Sequence, residues 1–127
     1  MSRVEVETRR VVEELYRAYL AGDPEGMLAT MSDDVHVRFL GRVDFTGIEE
    51  ARRFFHANTS RLLDLDFRIA KLIVDGHHAA GVWSETATTP DGRPYANHGV
   101  DVFEVRDGKV VSVHENNDIT VVRRHFG

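Results

Sequence analysis

Asp75-Gly76-His77-His78, Pro90-Asp91-Gly92-Arg93 and Arg106-Asp107-Gly108-Lys109 punctuate the second half of the chain, their Asp-Gly dipeptides sixteen residues apart. Asp-Gly between apolar runs is a strong hairpin signal, because both residues tolerate the positive φ of a turn that follows the strand twist. The three turns predict four successive antiparallel strands. The two middle segments, 77–90 and 93–106, hold fourteen residues each. Fully extended, each would reach about 46 Å at ~3.3 Å per residue, too long for a flat sheet in so small a chain. The sheet is therefore expected to bend into a cone whose inside can hold a ligand.

Working back toward the N-terminus, Val12, Leu15, Tyr16, Tyr19 and Leu20 recur at helical spacing and predict a first helix over roughly residues 4–21, stopped by Gly22. Asp23 and Pro24 open a short second helix that turns Met27, Leu28 and Met31 inward. Val35, Val37 and Phe39 alternate with His36 and Arg38 as a short strand. Thr46 and Glu49 read as the capping box of a third helix, with Ala51, Phe54, Phe55, Asn58 and Leu62 along one side. Leu65, Phe67 and Ile69 keep period two, then Ala70, Leu72 and Val74 take the other parity, which predicts a bulge near Ala70 or Lys71.

With 127 residues, the chain reads as one domain over 1–127. A net charge of -5 and no clustered basic stripe argue against nucleic acid. The absence of cysteine excludes disulfides and thiolate chemistry. No apolar run approaches a membrane span, and the N-terminal residues lack an apolar signal region, so a cytoplasmic location is expected. Phosphate-loop, dinucleotide, serine-hydrolase and zincin motifs are missing, and neither a cofactor nor a metal is expected.

The order helix, helix, strand, helix, curved meander, together with Tyr19-Leu20-Ala21-Gly22-Asp23-Pro24-Glu25-Gly26-Met27, the stretch 99–111 and the end 117–127, resembles the NTF2-like, or cystatin-like, α+β barrel superfamily. Within it the chain is most similar to the SnoaL-like branch, which holds polyketide cyclases and relatives of ketosteroid isomerase. The resemblance implies an α+β cone, helices packed on a strongly curved, mostly antiparallel sheet. It also implies cofactor-independent general acid/base chemistry on a small hydrophobic or polycyclic carbonyl compound, and a homodimer through the outer face of the sheet is expected. Dehydratases, epoxide hydrolases and non-catalytic binding modules share the fold, so the reaction stays open.

The chemistry must come from polar side chains that point into the cone. His114, Glu115, Asn116, Asn117 and Asp118 crowd the end of the last strand. If Val111 and Val113 face inward, strand parity sends Glu115 and Asn117 after them and turns His114, Asn116 and Asp118 out, unless a bulge reverses the last members. By resemblance to the cyclases, Asp118 is the general acid/base, with Glu115 as the alternative from the other parity. Asp101, flanked by Val100 and Val102, is a carboxylate whose burial needs compensation. Its position is similar to that of the isomerase aspartic acid that stays protonated and binds an oxyanion, a case described for that enzyme, and Tyr16 resembles its tyrosine partner. The plain alternative makes Asp101 a salt-bridge acceptor for an arginine and Tyr16 a core aromatic. Phe39 stands where the isomerase has its base. His98, close to Asp101 and on a strand beside His114, could orient substrate or pass a proton. Phe39, Phe55, Trp83, Phe103 and Asn117 are the candidate substrate contacts. Glu85 shares a strand face with Trp83 and would need a partner such as His98 or an arginine if it points inward.

Overall fold

The structure, a computed structural model, describes residues 1–39, 42–59 and 61–126. Gly127, the last residue of the C-terminal stretch that carried the resemblance, lies outside them. The chain begins with α1 (Arg3–Leu20), whose start is fixed by a reciprocal capping box between Ser2 and Glu5. Gly22 then takes a φ of 66°, and Asp23 accepts from the Gly26 amide to open α2 (Pro24–Leu28). Met31 belongs to the next element rather than to α2: β1 runs Met31–Phe39 and β2 Val43–Thr46. The β2 strand escaped the sequence reading because Thr46 looked like a helix cap. Thr46 instead pairs with His36 across the β1–β2 hairpin, and α3 (Ile48–Asn58) starts at Gly47, with a φ of 114° and no side-chain cap.

The meander follows as β3 (Leu63–Asp75), β4 (His78–Thr88), β5 (Pro94–Arg106) and β6 (Lys109–Asn117), and α4 (Ile119–Phe126) ends the described chain. Among the described residues the six strands form one mixed sheet in the order β2-β1-β6-β5-β4-β3, with only the β1–β6 pair parallel. The three Asp-Gly sites are all turns, but of different kinds. Asp107 and Gly108 both have positive φ between the paired Arg106 and Lys109, a two-residue mirror-image turn. At the first site Asp75 itself pairs with His78, leaving Gly76-His77 as the loop. At the second the strands part at Thr88 and Pro94, giving a five-residue loop that Thr89 ties by accepting from the Arg93 amide.

Of the four register shifts among the described residues, two shape the site. One lies between Ile69 and Lys71, where Ala70 has no partner, in agreement with the parity change in the sequence. The other leaves Val111 unpaired: Val105 faces Val110, and Glu104 faces Ser112. Val110 and Val113 therefore turn into the core while Val111 is the bulged residue. Helix α1 lays Val11, Val12, Leu15 and Tyr16 against the concave side of the sheet, and α3 adds Ala51 and Phe55, so that helices and sheet enclose the core. The architecture is the α+β cone expected from the sequence, with an open sheet rather than a closed barrel.

Candidate functional site

Strand alternation brings three carboxyl groups onto the concave face: Glu85 from β4, Asp101 from β5 and Glu115 from β6. Asp101 stands directly opposite Glu115 on one side and Gly81 on the other. Gly81 makes this possible, since a Cβ there would collide with the Tyr16 hydroxyl, which crosses the gap from α1. Trp83 faces Gly99 in the next pair, and a Cβ at Gly99 would run into its indole. Two strand glycines thus clear the space through which a phenol and an indole reach one carboxyl group. Tyr16 donates to Asp101 Oδ2 at 2.8 Å and Trp83 Nε1 donates to Oδ1 at 3.0 Å.

This geometry corrects one part of the expectation. Tyr16 and Asp101 do not stand side by side as two free donors for an oxyanion: the hydroxyl is committed to Asp101, and both carboxyl oxygens accept. Nor is Asp101 salt-bridged to an arginine among the described residues: its partners there are Tyr16 and Trp83. Burial pushes its carboxyl up to about 7, opposed by the Tyr16 and Trp83 hydrogen bonds and reinforced by Glu85. Glu115 is raised well above the usual carboxylate range, first by burial and then by Asp101, with the Asn117 side chain pulling the other way. The two form a coupled acid pair, and the donors on Asp101 favour the arrangement in which Asp101 carries the charge and Glu115 the proton.

Glu85 is 7 % exposed. The Tyr19 hydroxyl donates to its Oε1 at 3.1 Å, so its partner is a tyrosine rather than His98 or an arginine. Burial raises its proton affinity. These groups border a cavity of about 160 Å³ with otherwise mostly apolar walls. Phe39, Phe55, Trp83 and Phe103 all line it, and Phe54 and Phe67 complete the aromatic wall. Asn117 is not on the wall and meets the site only through Glu115.

Asp118 and His98 lie elsewhere. The Asp118 carboxylate accepts from the Thr120 amide at the start of α4 and its own amide donates to Asn97 Oδ1, so it serves as a helix cap outside the cavity. His98 pairs with Ser84 on the convex side of β5 and is exposed. His114 is also on that side, where its Nε2 lies 3.2 Å from His36 Nδ1, and His36 Nε2 lies 2.7 Å from Asp44. The sequence reading passed over Gly81 and the Tyr19–Glu85 pair. A glycine inside an apolar strand, opposite an isolated carboxylate, was the available sign of a close approach.

The SnoaL-like domain model matches residues 12–113. Among curated proteins none matches the chain in sequence. Of solved structures, a protein named as SnoaL-like polyketide cyclase from Jannaschia sp. CCS1 superposes with a TM-score of 0.86 at 18% identity, covering 98% of this chain and 94% of its own. An LEH-like epoxide hydrolase of Mycobacterium tuberculosis gives 0.79 at 18% identity, with 95% and 90% covered. Another protein of that organism, in complex with estradiol-17beta-hemisuccinate, gives 0.78 at 18% identity, with 91% and 96% covered. At such identities the neighbours share the fold and nothing finer, while the domain match spans most of the sequence. The chain belongs to the SnoaL-like family.

Proposed function

We propose that the protein is a cofactor-independent acid/base catalyst, a cyclase or isomerase, acting on a small hydrophobic carbonyl compound. The observation that carries this is the cross-strand pair Asp101–Glu115 in an apolar cavity, with both Asp101 oxygens held by donors. Glu115 is the proton-transfer group. Beside the Asp101 charge its carboxyl keeps a proton toward neutral pH and gives it to the carbonyl oxygen of a bound substrate. The carboxylate so formed then takes a proton from the α-carbon. The C–H pair becomes the C=C bond, the carbonyl π pair becomes the O–H bond, and Glu115 is reprotonated. Asp101 acts through Glu115 as a positioning and charge-setting residue, and Tyr16 and Trp83 hold it. A cavity of about 160 Å³ favours one ring over a polycyclic body, since an apolar cavity of about 150 Å³ accommodates benzene.

A second reading, dehydration or epoxide opening, uses the same first step, with the Glu115 proton going to a hydroxyl or epoxide oxygen. Glu85, a further carboxyl on the same wall, is the observation that favours it. We place a homodimer contact on the convex face, where Ile73 and Val102 lie in one cross-strand row and are 55% and 39% exposed. A cytoplasmic location also remains our reading; no helix among the described residues is long and apolar enough to cross a membrane.

The deciding experiment follows deuterium exchange into the α-positions of cyclohexanone in D2O by NMR. Wild type is expected to accelerate it, and Glu115→Gln to lower the rate at least 100-fold while keeping the wild-type melting temperature within a few degrees. An unaltered rate in Glu115→Gln overturns the assignment. If neither protein exchanges any ketone, opens an epoxide or dehydrates an alcohol, a binding module is the better account.

A further inference from the structure

The proton-transfer reading leaves Glu85 without a task, and its surroundings are specific. Phe67 is its cross-strand partner on β3, Trp83 precedes it on the same face of β4, and Tyr19 descends on it from α1. The three rings are packed together: Phe67 stacks on Trp83 with centroids 5.6 Å apart, and Tyr19 meets Phe67 edge-on at 5.2 Å. The residue as a whole is more than nine-tenths buried. Its Oε1 takes the Tyr19 hydrogen bond, and Oε2 has no hydrogen-bond partner among the described residues. No lysine or arginine is among the described residues that line the cavity.

Oε2 is thus open to the cavity, and a carboxyl group largely withdrawn from bulk water, with one neutral donor and no cation, is only partly compensated. The groups best able to relieve it are a protonated nitrogen or a neutral hydroxyl brought by the ligand. The rings favour the first. Aromatic faces attract cations through the ring quadrupole, more strongly in a desolvated site, and offer nothing comparable to a hydroxyl. The charge on Asp101, on the same wall, adds to the negative potential and disfavours any carboxylate-bearing ligand.

We infer that Glu85, with Tyr19, Phe67 and Trp83, forms a subsite for a protonated nitrogen, so that the substrate is a compact, single-ring compound carrying an amine, and not an acid. The inference rests on the reading of this cavity as the substrate site, and it makes Glu85 the residue that sets specificity by charge. The carbonyl end of such a substrate lies toward Glu115 and its amine end toward Glu85, which fixes its orientation in the cavity.

The test is calorimetric binding at pH 7 of three probes of one shape: benzylamine, benzyl alcohol and sodium benzoate. Benzylamine, protonated at that pH, is expected to bind at least tenfold more tightly than benzyl alcohol, and benzoate at least tenfold more weakly. In Glu85→Gln the preference for the amine over the alcohol is expected to collapse to within about threefold. Equal affinity for amine and alcohol, measurable benzoate binding stronger than that of the alcohol, or no benzylamine binding up to millimolar concentration overturns the inference. Should Glu85→Gln fail to fold, the ranking of the probes on wild type decides alone. A protein that exchanges ketone α-protons through Glu115 yet ignores probe charge sinks this inference only. One that prefers the amine while Glu115→Gln exchanges at full rate sinks only the proton-transfer reading.

Discussion

The two faces of the sheet carry much the same kinds of side chain and put them to opposite physical use. On the convex face, His36, Asp44 and His114 form a chain of contacts. Glu104 and Arg106 pair nearby, as do Asp66 and Arg68 on β3, and all remain open to water, where such pairs contribute little. On the concave face Glu85, Asp101 and Glu115 have no cation on the cavity wall among the described residues. Phenols hold Glu85 and Asp101, an indole also holds Asp101, the Asn117 side chain meets Glu115, and burial raises the proton affinity of each. A titratable group's chemistry is thus decided less by its identity than by which side of a pleat it occupies. The adjacent His114 and Glu115 differ in just this way.

The contrast is most easily broken sterically. Gly81→Val drives a side chain into the Tyr16 hydroxyl and is expected to cost about 3 kcal/mol. Ala80→Val, one residue away on the other face, should change stability by less than about 1 kcal/mol, both read by urea denaturation. The next effect is on pH. Asp101, Glu115 and Glu85 bind protons more tightly folded than unfolded, so the stability they contribute is fully present below pH 4 and is lost as pH rises through about 7. The protein is expected to be less stable at pH 8 than at pH 5 by about 2 kcal/mol, a difference that shrinks in Asp101→Asn/Glu115→Gln. The exposed carboxylates Glu5, Glu25, Asp91 and Glu104, held below the usual range by hydrogen bonds and neighbouring cations, act in the opposite sense and at lower pH. A flat profile from pH 5 to 8 would count against a charged interior.

A smaller and sharper effect concerns coupling. Asp101→Asn removes the negative neighbour, lowers the proton affinity of Glu115, and should move the alkaline limb of activity to lower pH by about one unit. An unmoved limb would separate Asp101 from Glu115. The smallest effects belong to the convex side: His98→Ala and His114→Ala should leave ketone exchange within twofold and stability within about 0.5 kcal/mol. A larger loss in either would mean that this face reaches the chemistry.

Much of the fold was readable because it rests on local devices. The Asp-Gly turns, the Asp23-Pro24 helix start and the parity change at Ala70 each leave a mark within a few residues. The four-residue β2 was lost because a threonine before a glutamate also spells a helix cap, and only the pairing of Thr46 with His36 resolves it. In the site, Asp101 stood out as a charge within an apolar strand, and Tyr16, Trp83 and the phenylalanines followed from apolar periodicity. The facing of Asp118 and His98 depended on strand parity and on where the last strand gives way to α4, which are properties of pairing. Glu85 remained undecided because its partner, Tyr19, lies 66 positions away in the chain.

The unpaired Val111 has a further consequence. Were β6 to continue straight from the Asp107-Gly108 turn, Glu104 would face Val111, Phe103 would face Ser112, and His114 would come to rest opposite Asp101 while Glu115 turned to solvent. The same sequence would then enclose an imidazole–carboxylate dyad, an ordinary base. One supernumerary residue, touching no ligand, converts that dyad into a cross-strand pair of carboxyl groups. The count of residues between a turn and a pocket thus decides which side chain stands opposite Asp101, so one residue inserted there with the bulge kept would bring His114 to that place before any side chain of the cavity wall had changed.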